Sequence, residues 1–155
     1  MKEYQKAIIE LIIERELLTA EVYRLFARRF PRHEPFWSRL ATEETEHAAW
    51  VQHLLEQSAL RNVGFDEGKT RTYTLKSYND YLRGVHAEAQ RPGMPPEKAL
   101  ALTVDIEKSL QERNLFTQFN TSSEQTRRIL DVLQKGLEEH LVYVESYAAQ
   151  ARRTM

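Results

Sequence analysis

Between Glu3 and Arg29 the chain has neither glycine nor proline, and apolar residues recur at intervals of three and four: Ile9, Ile12, Ile13, Ala20, Tyr23 and Ala27. That period predicts one long helix with a single apolar face. Pro31 ends it, and Pro35 suits the first turn of a second helix running to about Gln57. The second stripe reads Trp37, Leu40, Ala41, Ala48, Val51 and Leu54. The short turn between the two helices makes them antiparallel neighbours. Leu100, Val104, Leu110 and Asn114 predict a third helix from Pro96 to about Phe119. A fourth is expected from a capping box at Thr121-Ser122-Ser123-Glu124 to about Ala151. Its stripe is Ile129, Leu130, Leu133, Leu137, Leu141, Val144 and Tyr147. Gly136 lies inside it, where glycine costs about 1 kcal/mol relative to alanine, which suggests close approach of a neighbour.

The stretch from Ser58 to Pro96 breaks this pattern. Gly64, Gly68, Gly84, Pro92, Gly93, Pro95 and Pro96 all lie in it. Within it, Leu75 to Gln90 predict a shorter helix with Tyr78, Tyr81 and Leu82 on one side, and His86 a turn beyond Leu82. No period-two run is longer than Lys69 to Thr74. The connection is long enough to travel the length of a bundle and restart in the same direction, so it reads as a crossover. The expectation is an all-α fold, four long helices and a short one, in a single domain over residues 1–155.

Each apolar stripe is interrupted near its middle by a group able to ligate metal. Glu16 interrupts the first, Glu44 and His47 the second, Glu107 the third and His140 the fourth. Glu14 competes with Glu16, but Glu10 is its neighbour and its face is more mixed. Buried carboxylates are rare unless paired, protonated or metal-bound. Three residues of separation on a helix point Glu44 and His47 the same way, towards one ion. The alternative for all five is a buried hydrogen-bonded cluster, with Glu107 and His140 as an ion pair. His33 in a turn and His53 off the stripe gain no role from position.

Composition narrows the chemistry. There is no cysteine, which excludes disulfides, thiolate metal sites and thiol catalysis. Carboxylates with imidazole suit iron, manganese or zinc. Charged residues make up 29% of the chain but sum to −1, so no overall field draws it to nucleic acid or membrane. No apolar run approaches transmembrane length and the N-terminus shows no signal-peptide pattern, which predicts a cytoplasmic protein.

A carboxylate-bridged dimetal centre in a bundle takes one Glu from each of two helices and Glu-x-x-His from each of the other two. Glu16 and Glu107 supply the single carboxylates, and Glu44 with His47 one pair. The second pair needs a Glu three residues before His140, and that residue is Leu137. At this point the sequence resembles the rubrerythrin branch of the ferritin-like superfamily. Glu16-x-x-x-Ala20-x-x-Tyr23-x-x-x-Ala27 looks like that family's first helix and Leu40-Ala41-x-x-Glu44-x-x-His47 its second. Ala99-Leu100-x-x-x-x-x-Ile106-Glu107 looks like the third, and Leu133-x-x-x-x-x-x-His140-Leu141 the fourth.

The resemblance implies a ferritin-like four-helix bundle with a long crossover between helices 2 and 3. It also implies a di-iron centre reacting with peroxide or dioxygen, and a homodimer or larger assembly. Leu137 departs from the family by removing a bridging carboxylate, and Asn114 stands where many relatives have tyrosine. No rubredoxin module is present, so electrons would come from an external donor. Glu138 and Glu139 do not substitute, since they project ~200° and ~100° round the helix from His140 unless a bulge near Gly136 rotates one inward. One well-formed site around Glu16, Glu44 and His47 is expected, and a weak or empty one at Glu107 and His140. Three readings follow: a rubrerythrin-type peroxidase or ferroxidase, a non-catalytic protein holding one metal ion, and a metal-free interaction bundle. Leu11, Leu18, Phe26 and Trp50, outside the stripes, point to an oligomer.

Overall fold

The computed structural model describes every residue except Arg61, Leu110 and Met155, and only the backbone of residues 111–113. Leu110, a member of the third stripe, therefore lies outside the described residues. The class is all-α. The five α-helices among the described residues are α1 (Glu3–Arg29), α2 (Glu34–Ala59), α3 (Thr72–Gln90), α4 (Pro96–Ser109) and α5 (Glu124–Arg153). Two three-residue strands, β1 (Val63–Phe65) and β2 (Phe119–Thr121), lie where no period-two run is present. None of the helices is long and apolar enough to cross a membrane. The chain divides into two compact units, Met1–Met94 and Pro95–Met155.

In the first unit α1 packs against both α2 and α3. A 3₁₀ turn at Pro31–His33 reverses the chain, and Pro35 sits in the first turn of α2, where the missing N–H costs nothing. Phe26, Phe30, Phe36 and His33 surround Trp37, with ring centroids 5.3 to 5.7 Å from it. Phe26, which lies outside the predicted stripe, is fully buried, and so is Trp37. His33, to which the sequence assigned no role, is also buried, and burial lowers its pKa.

At the other end of the hairpin, Gln5 Nε2 donates to the Phe65 carbonyl at 3.0 Å and to Glu67 at 2.8 Å, tying β1 to the start of α1. The buried face of α3 is Leu75, Asn79, Leu82, Val85 and Ala89. This corrects the expected Tyr78–Tyr81–Leu82 side. Tyr81 is exposed and its ring lies 5.4 Å from that of Tyr78 on the surface. The register is set by Asn79, whose Nδ2 donates to the Leu11 carbonyl of α1 at 3.3 Å. Gly93, with φ +104°, turns the chain after α3 in a conformation L side chains rarely adopt.

In the second unit α4 packs against α5. The third helix is shorter than its stripe predicts. The α-helix ends at Ser109, a 3₁₀ helix follows over Gln111–Gln118, and β2 begins at Phe119. Leu115, Phe116 and Phe119 are buried there, so the tighter 3₁₀ winding serves packing. Asn114 is exposed. The start of α5 also differs: Thr121 belongs to β2, its Oγ1 accepting from Ser123 N–H at 3.1 Å, and the N-cap is Ser123, whose Oγ accepts from Thr126 N–H at 3.3 Å. A hydroxyl two residues nearer the helix satisfies the orphan amide better than the expected Thr121–Glu124 box.

Gly136 meets no close neighbour: a methyl built on it has nothing within 4 Å among the described residues. The expected close approach is absent. Gly136→Ala is therefore predicted to stabilise the protein by about 0.5–1 kcal/mol. Urea unfolding should show a higher midpoint at unchanged slope.

Candidate metal centre

Near mid-length of the hairpin, α1 and α2 turn carboxylates towards each other. Glu16 and Glu44 are fully buried, and the His47 ring is 13% exposed. Glu44 and His47, one turn apart on α2, place Glu44 Oε2 and His47 Nδ1 3.6 Å apart. Glu16 Oε2, arriving from α1, lies 4.0 Å from the same nitrogen. One ligand atom from each of the three residues lies within 4.8 Å of the others.

Two donors bound to one ion at about 2.1 Å are at most about 4.2 Å apart. The two distances to His47, 3.6 and 4.0 Å, fall inside that limit and exceed an ordinary hydrogen bond. A donor set of two carboxylate oxygens and one imidazole nitrogen, with no sulfur, suits Fe(II), Mn(II) or Zn(II). The residues fit a metal ion.

Arg15 is the part of this site that periodicity missed. It is only 5% exposed, and its Nη2 donates to Glu16 Oε1 at 2.5 Å. Burial alone would raise the Glu16 pKa. The Arg15 guanidinium, hydrogen bonding with Glu44 and the nearby His47 outweigh it and hold the carboxyl down at about 2. Thr19, one turn on from Glu16, is likewise fully buried. Glu14 projects outward and pairs with Arg83 of α3, well away from this cluster in role and exposure.

A carboxyl whose folded pKa lies below its unfolded value contributes stability that is present above the unfolded pKa and lost as pH falls through the folded one. Metal-free protein is accordingly expected to weaken as pH drops from about 4.5 towards 2, the two ends of the Glu16 shift. Urea midpoints across that range check it. Glu16→Gln should flatten the dependence.

In the second unit, Glu107 of α4 and His140 of α5 are both buried, with His140 Nε2 3.3 Å from Glu107 Oε2. Leu137, where a second Glu-x-x-His would carry its carboxylate, is buried and apolar. α5 is α-helical through Gly136 without a bulge, so Glu138 and Glu139 stay on the exposed face. Among the remaining histidines, His53 is exposed beside Trp50 and His86 is half-buried on α3. No protein-family model, curated protein or solved structure matches the chain.

Proposed function

We propose that this chain is a ferritin-like, rubrerythrin-type metalloprotein. Its carboxylate–imidazole centre takes iron and couples Fe(II) oxidation to reduction of peroxide or dioxygen. The observation that carries the reading is the convergence of buried Glu16 and Glu44 with the partly exposed His47 within 4.8 Å. Two buried carboxylates side by side are costly when both are ionised, and a divalent ion between them would offset both charges. Glu16, Glu44 and His47 hold the ion in this reading, and Glu107 with His140 offer a second, poorer pair of donors. Bound Fe(II) would supply one electron per ion, so two-electron reduction of a peroxide O–O bond to water would draw the second electron from another Fe(II) or from the external donor. The protein's part is to hold that ion in a dry core and to admit a small oxidant past the His47 edge, the one part of the cluster that reaches solvent. With no cysteine in the chain, re-reduction falls to an external donor. The four-helix bundle and a homodimeric assembly belong to the same proposal.

Leu137 favours a second reading, a protein that binds one metal ion without turnover. An apolar side chain in the bridging position leaves the second pair short of charge.

Elemental analysis, followed by anaerobic Fe(II) titration and then peroxide or air, separates the readings. Oxidant-dependent growth of ferric absorption, with repeated turnover when a reductant is supplied, supports the oxidoreductase. One ion per chain and no turnover supports the binding protein. Absence of metal after reconstitution overturns both.

A further inference from the structure

We infer that Arg15 is the built-in counter-cation of the Glu16–Glu44–His47 cluster and competes with a divalent metal ion for Glu16. The inference rests on the metal-binding reading and specifies what sets the affinity of that site. It starts from a charged residue on a buried face: Arg15 lies at helical spacing with Ile8, Ile12, Thr19 and Val22, all buried. Arg15 and Glu16 are consecutive, so their side chains leave the helix about 100° apart. Arg15 nevertheless stays inside, 5% exposed, and folds back so that Nη2 meets Glu16 Oε1 at 2.5 Å. Burying a guanidinium is unfavourable unless a carboxylate receives it. The Glu16 carboxylate is thereby divided: Oε1 is held by Arg15, while Oε2 faces His47 at 4.0 Å.

The charge on arginine is permanent, since its pKa lies above 12. A metal ion displaces protons from glutamic acid and histidine, but it cannot neutralise Arg15 that way. In the metal-free protein, Arg15 offsets the charge on a fully buried Glu16. Once a divalent ion lies among Glu16, Glu44 and His47, Arg15 and the ion are two positive charges drawn to the same carboxylate and repelling each other. Arg15 therefore stabilises the empty site and opposes the filled one. A unit charge a few ångströms from a divalent ion lowers its affinity at least about tenfold, even at a dielectric constant near that of water. The consequence is a site tuned for exchangeable metal.

The test compares full-length wild type with Arg15→Gln, using Co(II) as the probe. Binding is followed by visible absorption with a competing chelator, and thermal unfolding is measured with and without Co(II). The variant is expected to bind Co(II) at least about tenfold more tightly than wild type. Without metal its melting temperature should fall, and Co(II) should restore more of it than Co(II) adds to wild type. A variant that folds only with Co(II) present supports the inference equally. Equal or weaker binding by the variant, with wild type still binding, overturns the inference and leaves the metal reading standing. So does a variant that folds neither with nor without Co(II), because the ion then fails to replace the guanidinium. If neither protein binds Co(II), the metal reading fails and takes the inference with it.

Discussion

Glu44→Gln is expected to lower metal affinity at least about 100-fold while leaving the metal-free protein folded and within about 1 kcal/mol of wild-type stability. The two effects separate because Glu44 has a different task in each state. When metal is bound, Glu44 supplies a negatively charged oxygen 3.6 Å from His47 Nδ1, and an amide oxygen is a far poorer donor to a hard cation. Without metal, Glu44 is a fully buried carboxyl group beside Glu16, whose own pKa is held low. A glutamine there keeps nearly the same volume and removes an ionisable group from the core, so the metal-free fold does not depend on the charge. Isothermal titration with Zn(II) or Co(II), beside urea unfolding of the metal-free forms, measures both halves. A loss of several kcal/mol in metal-free stability with unchanged metal binding would make Glu44 a structural hydrogen-bonding residue. Wild-type affinity in the variant would remove it from the ligand set.

The contrast between Glu44 and Arg15 marks how far the sequence was legible. Glu16, Glu44, Glu107 and His140 interrupt apolar stripes, and each is buried as its stripe requires. The bounds of α1 and α2 follow from local chemistry: no glycine or proline inside, Pro31 after one helix, Pro35 opening the next. Periodicity assigns a charged residue beside a stripe to solvent, which is right for Glu138 and Glu139 and wrong for Arg15. Arg15 lies at helical spacing with Ile8, Ile12, Thr19 and Val22, on the broader arc that α1 buries, whereas Glu138 and Glu139 lie on an exposed face. A long cationic side chain comes inside only because a particular carboxylate is there to receive it, and that is a fact of tertiary structure.

The same limit explains the other departures. Tyr81 and Leu82 are neighbours on α3, but contact with α1 through Asn79 decides which is covered. The end of α4 at Ser109 is set by where Leu115, Phe116 and Phe119 must pack, although the residues preceding them are ordinary helix formers. Phe26 lies outside the first stripe and is nevertheless buried, because the buried arc of α1 is wider than that stripe. α1 has neighbours on two sides, α2 and α3, and a helix so placed buries a broader arc than a one-sided amphipathic pattern suggests.

The width of that arc gives Trp37→Ala its expected cost of about 3–5 kcal/mol, the range for removing a large aromatic side chain from a core. Trp37 is fully buried at the turn of the hairpin, with the rings of Phe26, Phe30, Phe36 and His33 5.3 to 5.7 Å from its own. Those neighbours come from α1, the 3₁₀ turn and α2 together. Truncation leaves a cavity that no single element can close by shifting alone. The pairs Phe26–Trp37 and Phe36–Trp37 are tilted rather than stacked, a favoured arrangement for aromatic quadrupoles, and that contribution goes as well. Trp50 is the internal control. It is 36% exposed on the same helix, so Trp50→Ala should change stability by no more than about 0.5–1 kcal/mol. Because the sequence holds two tryptophans, each variant leaves one indole to report unfolding by fluorescence beside far-ultraviolet circular dichroism. If Trp37→Ala costs no more than Trp50→Ala, the aromatic cluster does not hold the hairpin together. If it costs the full amount, metal binding at Glu16, Glu44 and His47 should weaken in parallel, since α1 and α2 must stay paired for those side chains to meet.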